Sequence, residues 1–540
     1  MSALENRGFR VWAQFSALAL LGAIFCQVAL AKELPADLSG TAAVTPLIEI
    51  DRPVVMSGDG SPLFVLIRFK AADFDYHGET DRPPVHLSLV LDRSGSMEDV
   101  GKIEYLKSAA KMAIDRLTPR DRLAIVEYDD VITVMWPSAP VESTFPIKRL
   151  IDGLEPRGST NLVGGMMRGV DEIAKHPHGF SSNEVIRRVL LLSDGLANQG
   201  VTDPREIGRL VRSVKSEGIR ISTMGLGRDY DEDLMQAIAE NGGGNYYYIE
   251  HPTQMARIFE QELQILFTTV AKDVTFRFEP SQGIKKVDVV SLATDTDYDG
   301  AAFDMENFYA GESRAVLLRL EPDQEIFREK DTIVDVGTVS LSYFDVRTGQ
   351  EATFNGNVTV EVTDSEVAVA NALNNEVIVE ARLVAAEKRH ADIITQYESG
   401  NYEAADDMIA LLEQDVTQQN ASLKDARLAN KIEALRVERE QMARVASAPA
   451  DRSAYLKSTK QRLYKAQQGK RNLYRLQTGD KGLEVERLQQ ALTDVGHYAG
   501  PVDGIYSQEL ENAVQTFQTE QALTQDGVAG PATMQALGLY

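Results

Sequence analysis

The chain has 540 residues, a formal net charge of −25, and 43% apolar against 25% charged residues, a globular balance with room for about three or four separate cores. Such an excess of acid makes the chain as a whole repel polyanions, so no nucleic-acid partner is expected. The one cysteine, Cys26, lies in the first apolar segment, which leaves the rest of the chain without disulfides, a thiol nucleophile or a zinc–thiolate site.

Arg7 and Arg10 precede an apolar run from Val11 to Ala31 that closes on Val28-Ala29-Leu30-Ala31. This is the pattern of an export signal cut before Lys32, and residues 1–31 are read as a signal peptide leading to the periplasm or cell envelope. Phe25 stands where a lipoprotein signal places a small residue, which argues against a lipid anchor. The run is just long enough to span a bilayer, so a membrane contact is expected only if the signal is retained as an anchor.

Residues 32–83 carry two alternating apolar runs, PLIEIDRPVVM and SPLFVLIRF, around Ser57-Gly58-Asp59-Gly60, which predicts a β-hairpin. Residues 84–268 alternate strand and helix patterns, the mark of a parallel α/β sheet, and residues 269–363 return to β patterns. The α/β domain is therefore expected to be inserted in, or followed by, a β-sandwich, with strands drawn from both sides of it.

Within the α/β region the buried strand Val85–Leu91 runs into Asp92-Arg93-Ser94-Gly95-Ser96-Met97, and a helix begins near Lys102. Gly158-Ser159-Thr160-Asn161 opens a later helix, and Val189–Leu192 ends in Ser193-Asp194-Gly195. Loops beyond the C-terminal ends of strands form the binding edge of open α/β sheets, so Asp92, Ser94, Ser96, Thr160 and Asp194 meet where ligands are held. An all-oxygen set with two carboxylates selects a hard divalent cation, Mg²⁺ with Mn²⁺ or Ca²⁺ as substitutes. Two carboxylates among neutral hydroxyls can at most balance a divalent ion; where they act partly through water, the metal stays electron-poor and accepts a carboxylate from a protein partner as its last ligand.

These three pieces, Asp92-x-Ser94-x-Ser96, Thr160 and Asp194, resemble the complete metal-ion-dependent adhesion site of von Willebrand factor type A domains. The resemblance covers about Pro84 to Thr268 and implies a Rossmann-like fold, reversible divalent-metal binding and recognition of protein ligands.

In the β-rich part, Asp295, Asp297 and Asp299, followed by Gly300 and Glu306, match the spacing of a calcium loop and offer a second Ca²⁺ site. The flanks VDVVSL and RAVLLRL look like strands rather than the paired helices of that motif. Residues 364–446 show helical periodicity broken at Ser399-Gly400-Asn401, which predicts a helical spacer with at least one antiparallel pair. Residues 447–475 are basic and are read as a linker that pairs with the acidic remainder of the chain or touches an anionic polymer or membrane.

The last stretch, 476–540, contains two similar halves. In each, an amphipathic helix ends in a bulky apolar residue plus Gln (Leu488-Gln489, Phe517-Gln518), and an Asp-Gly turn follows at Asp503-Gly504 and Asp526-Gly527. This pattern resembles peptidoglycan-binding domain-like modules and implies a small all-α fold whose partner is peptidoglycan. Tyr498, Tyr506 and Gln518 are expected near the rim of a shallow groove, with Asp503 beside them.

The sequence thus describes a multidomain α/β chain with a Rossmann-like domain, a β-sandwich, a helical spacer and a small all-α module. No catalytic constellation converges; His176-Pro177-His178 follows a helix without a spaced partner and reads as a surface loop. The expected function is an exported, non-catalytic binding protein tethered to the wall. The alternatives are an accessory or regulatory subunit of an envelope machine and a peptidoglycan-remodelling enzyme.

Overall fold

The computed structural model describes residues 42–72, 82–175, 185–196, 199–227, 229–291 and 300–467 and, near the C-terminus, 476, 478, 483–521, 523, 525, 527–537 and 539. The expected signal, His176 and His178, the three aspartates 295, 297 and 299, Asp526 and the end of the basic stretch lie outside the described residues.

Three strands come first: β1 (Val44–Ile50), β2 (Val54–Met56) and β3 (Leu63–Ala71). The α/β region follows as β4 (Val85–Asp92), α1 (Lys102–Asp115), β5 (Arg122–Tyr128), β6 (Ile132–Pro140), α2 (Thr144–Asp152), α3 (Leu162–Ala174) and β7 (Ile186–Ser193). It continues with α4 (Pro204–Ser216), β8 (Arg220–Leu226), α5 (Glu232–Gly242), β9 (Gly243–Ile249) and α6 (Met255–Phe267).

These strands form one sheet in the order β6-β5-β4-β7-β8-β9, parallel except for the β5/β6 pair. Strand β4 is central and buried along its whole length, with Val85, Leu87, Leu89 and Leu91 on one face and the buried polar His86, Ser88 and Asp92 beside Val90 on the other. Leu87, Leu89 and Leu91 pack with α1, α2 and α6, while Val90 faces a second core built with α3, α4 and α5. The sheet is therefore covered on both sides, and its free edge is the row of loops past the strand ends.

Strands β10 (Thr269–Pro280), β11 (Ile284–Val289), β12 (Ala301–Asp304), β13 (Phe308–Tyr309), β14 (Ser313–Pro322), β15 (Thr332–Asp345) and β16 (Gln350–Thr363) come next. One sheet runs β1-β3-β14-β11 and the other β12-β10-β15-β16-β2, with β13 also on β10. Val65, Ile67 and Phe69 of the first share a core with Phe276, Phe278, Leu341 and Val360 of the second, so the two sheets make a sandwich. Both sheets take strands from each side of the α/β region, which is an insertion between β3 and β10.

The expected hairpin is corrected in one respect. Strand β1 does pair antiparallel with β3, but the run between them breaks at Asp51-Arg52-Pro53, and β2 crosses to lie parallel to β16 in the opposite sheet. Proline lacks the N–H a ladder needs, and it marks the crossing.

The helices α7 (Glu366–Asn371), α8 (Asn375–Glu398), α9 (Tyr402–Leu423), α10 (Ala426–Val445) and α11 (Pro449–Gln467) follow. Val377, Ala381 and Val384 of α8 cover Leu66 and Leu317 on the outer face of β3 and β14. The turn expected at Ser399–Asn401 separates α8 from α9, with Gly400 in the left-handed region at φ 84°.

A second correction concerns the basic linker: most of it is α11, whose Tyr455, Leu456 and Leu463 enter the core shared by α8, α9 and α10. Its charges pair inside the molecule. Lys457 Nζ donates to the Tyr230 carbonyl (2.8 Å) and Glu232, Lys460 to Asp233 (2.9 Å) and Glu398 (2.6 Å), and Arg462 to Glu438 (3.0 Å).

The C-terminal α12 (Leu483–Asp494), α13 (Gln508–Glu520) and α14 (Pro531–Ala536) have a core of their own around Leu488, Val514, Phe517 and Tyr506. Among the described residues no helix is long and apolar enough to cross a membrane.

Candidate metal site and C-terminal module

Asp92 ends β4, and the chain turns at once because its carboxylate accepts the Ser94 N–H (2.8 Å), an Asx-type turn that aims Ser94 and Ser96 across the sheet edge. The other carboxylate oxygen accepts the Ser193 hydroxyl from the end of β7 (2.7 Å) and lies 3.4 Å from the Tyr128 hydroxyl. Asp194 follows Ser193. Its Oδ1 accepts Ser96 (2.7 Å) and lies 3.5 Å from the Ser94 hydroxyl, and the two serine oxygens are 3.2 Å apart.

Thr160 is brought to the same point by α3, whose N-cap, Asn161, accepts the Gly164 N–H (3.1 Å). Its place is fixed by Gly195: a Cβ there would stand 3.2 Å from Thr160 Oγ1 and 3.9 Å from Ser96 Oγ. The five predicted residues therefore converge, and a glycine keeps the space between them open.

All five are buried except Ser96. Burial pushes the Asp92 carboxyl up to about 6, with the negative charge of Asp194 adding to the rise against hydrogen bonds from Ser94 and Ser193. Two carboxylates this close in a buried setting want a cation, and three hydroxyls plus two carboxylates are the donors a hard divalent ion takes. The residues present fit such an ion.

The model of the von Willebrand factor type A domain matches residues 86–261, and that of a putative peptidoglycan binding domain matches 481–537. The chain carries a von Willebrand factor type A domain. Outside this chain, the type A domain segment is similar to YfbK of Escherichia coli strain K12, 33% identical over 198 residues, covering 36% of this chain and 34% of that protein. The chain thus spans about a third of that relative's length.

Among solved structures, a von Willebrand factor type A protein from Catenulispora acidiphila superposes with a TM-score of 0.56 at 18% identity, over 74% of this chain and 90% of its own. The ArnB paralog VWA2 from Sulfolobus acidocaldarius gives 0.50 at 17% identity, over 77% and 98%. Both spans exceed the type A domain itself, so the fold likeness takes in its surroundings as well.

Around the type A site the structure adds residues that the sequence did not single out. Lys102, the first residue of α1, donates to Asp194 Oδ2 (2.6 Å) and to the Ser96 carbonyl (3.3 Å), and only 8% of it is exposed. Asp129, past β5, accepts Arg157 (2.7 Å), pairs with Arg93 (2.9 Å) and ties the loops together. Ser193 orients Asp92, and the Tyr128 hydroxyl donates to the Leu192 carbonyl (2.8 Å) beside it. Their types are common in any loop, and only the tertiary contacts distinguish them.

In the C-terminal module the rim expectation is corrected. Tyr506 and Gln518 are almost fully buried and Tyr498 nearly so, while Asp503 is exposed. The Gln518 side chain accepts the Gly527 N–H (3.0 Å) and donates to the Val528 carbonyl (2.9 Å) and Thr533 (3.0 Å); Tyr506 donates to the Gly527 carbonyl (2.9 Å). Gln489 does the same for the first half: it accepts the Asp503 and Gly504 N–H groups (3.0 and 2.9 Å) and donates to Asp503 Oδ1 (2.8 Å) and the Ile505 carbonyl (3.1 Å). The repeated apolar-Gln pair is therefore a clamp on each Asp-Gly turn. The Tyr498 hydroxyl reaches the Pro501 carbonyl (3.2 Å) and acts within the first turn as well.

The fourth calcium-loop residue, Glu306, sits between β12 and β13 with φ 65°, and its N–H donates to Asp304 (2.6 Å). The two flanks read as strands are strands: VDVVSL begins in β11 and RAVLLRL lies in β14, in place of the helices of that motif, and the short β12 and β13 come between. Glu306 also borders a cavity of about 20 Å³ lined by Arg188 and Arg314, whose charges are met by Glu262 and Glu312.

Proposed function

We propose that this chain is an exported, non-catalytic binding protein of the cell envelope, held to peptidoglycan by its C-terminal module and binding a protein partner through a metal site in the type A domain. The observation that carries the reading is the convergence of Ser94, Ser96 and Asp194 with Thr160 around Gly195, beside the buried Asp92. Asp92, Ser94, Ser96, Thr160 and Asp194 would hold Mg²⁺, or Mn²⁺ or Ca²⁺ in its place. When bound, such an ion supplies a Lewis-acid point for a carboxylate from outside.

The chain's own residues do the rest. Ser193 and the Ser94 N–H keep Asp92 oriented, Asn161 fixes the start of α3 and with it Thr160, and Asp129 pins the neighbouring loops through Arg93 and Arg157. Loops past β4, β5 and β7 carry the exposed apolar side chains of Val100, Val131 and Leu196. The family's membership of largely non-catalytic binding proteins and the wall module support a tethered binder over a hydrolase.

The test is capture of envelope proteins on the immobilised full chain, with Mg²⁺ or with chelator, beside Asp92→Ala. The expected result is a partner held in Mg²⁺ only and retained at least about tenfold less by Asp92→Ala. Equal capture by wild type and variant, with or without chelator, contradicts the reading. An external ligand in the eluate identifies adhesion, and an envelope machine identifies an accessory subunit.

A further inference from the structure

The buried ammonium of Lys102 is not one of the oxygen donors, yet it touches one of them. It reaches Asp194 on Oδ2, the oxygen opposite the one that accepts Ser96, and a second contact to the Ser96 carbonyl holds it against the loop. The Lys102 side chain is 10% exposed and the Asp194 side chain 0%, so the pair is screened little by solvent. A Cβ on Gly227, past β8, would stand 3.9 Å from Nζ, so that loop also closes over the ammonium. The chain reaches Lys102 through a kinked turn in which Val100 and Gly101 are both left-handed, at φ 51° and 69°, and this conformation starts α1 with its first side chain turned to the site.

We infer that Lys102 is an internal counter-cation that holds down the site's affinity for divalent metal and leaves the loaded site short of negative charge. The inference rests on the metal-binding reading of the same five residues. Asp92 and Asp194 bring two negative charges and Lys102 cancels one. A divalent ion placed among the donors then leaves one positive charge uncompensated, and the neutral hydroxyls of Ser94, Ser96 and Thr160 do not supply the balance. A carboxylate from a partner does. Lys102 thus lowers affinity for the metal alone and makes an anionic ligand the completing partner, because a buried positive charge near a cation repels it strongly where water is excluded. The lysine's position on a rigid helix, rather than on the metal loop, keeps that charge in place whether or not the loop is loaded.

The experiment is calorimetric titration of Mn²⁺ alone into the full chain at fixed ionic strength, for wild type, Lys102→Met, Lys102→Arg and Asp92→Ala. Lys102→Met keeps the length and apolar stem of the side chain and removes its charge. It is expected to bind Mn²⁺ at least about tenfold more tightly than wild type, Lys102→Arg to stay near wild type, and Asp92→Ala to lose binding. Thermal melting supplies a second readout. Without metal Lys102→Met melts below wild type because Asp194 loses its counter-ion, and saturating Mn²⁺ raises its Tm by more than it raises that of wild type. If wild type binds Mn²⁺, Asp92→Ala does not, and Lys102→Met matches wild type in affinity and Tm shift, the role of Lys102 is overturned while the metal site stands. If wild type and Asp92→Ala behave alike and Lys102→Met gains no binding, the metal site fails and the inference with it.

Discussion

At the scale of single residues, the function of a side chain in this molecule is set by which backbone groups it completes. Gln489 shows this plainly. Two turn N–H groups and one turn carbonyl end on its amide, and the Gly504 they surround is buried, so water cannot replace the clamp there. Gln489→Ala is expected to destabilise the C-terminal module by about 1–3 kcal/mol through the stranded Gly504 N–H. Hydrogen exchange reads this directly: the Gly504 amide should lose protection in the variant, and unchanged protection would show that the clamp carries no stability. The apolar-Gln pair before each Asp-Gly turn was legible in the sequence as a repeat, but its role was not, because a buried glutamine and a ligand-facing one look the same in a row of letters. Asp92, Ser94, Ser96, Thr160 and Asp194 were legible because each stands at the end of an apolar strand or the start of a helix. Lys102 was not. It lies six residues beyond Ser96 across a kink with no periodic pattern, and only the fold brings it to Asp194.

At the scale of elements, close packing decides what can move. Helix α3 approaches the sheet through glycines: a Cβ on Gly165 would meet Tyr128 Cγ at 2.6 Å, and one on Gly169 would meet Val90 at 2.4 Å. That approach holds the start of α3, and Thr160 with it, against the loops past β4 and β7. The helical arm is packed differently, around buried polar groups. His390 on α8 is held down to about 4 by burial and by the charge of Lys431, 3.4 Å away, against the pull of Glu438 and Glu387. Glu438 on α10, although burial opposes its charge, is held down to about 2 by Arg462, His390 and the Tyr455 hydroxyl.

Both groups make the arm acid-sensitive, with the same sign. A histidine whose folded value lies below its usual one contributes stability that is complete above about pH 6.5 and is lost as pH falls toward 4. A depressed carboxylate contributes stability present above about pH 4.5 and lost as pH falls toward 2. Helix content should therefore be constant above pH 6.5 and its melting temperature should fall in two stages below, the first amounting to about 3 kcal/mol over the histidine window. His390→Leu should flatten the first stage; a profile that is level from pH 7 to pH 4 in wild type would contradict this account. The antiparallel helices and the break at Gly400 were legible from periodicity. For α11 the pairing of its lysines with acid was expected, but its helix and its place in the core were not, because its high charge hides the few apolar residues, Tyr455, Leu456 and Leu463, that enter it.

At the scale of the whole molecule, the chain is built on separate cores. The type A domain is an insertion between β3 and β10, so both its ends are held by one sandwich. Helix α8 then covers the outer face of that sandwich, and α11 returns to the type A domain at Tyr230, Glu232 and Asp233. Insertion was legible as β patterns on both sides of an α/β region, whereas the crossing of β2 into the other sheet was hidden because alternation marks a strand without naming its partner. The C-terminal module has its own core, which suits the proposed tether.

Co-sedimentation with purified insoluble peptidoglycan, comparing residues 32–540 with residues 32–467, each with Mg²⁺ and with chelator, tests the proposed tether most directly. The account predicts that the longer chain pellets in both conditions and the shortened one in neither. A longer chain that stays in the supernatant, or a shortened one that pellets equally, would contradict it.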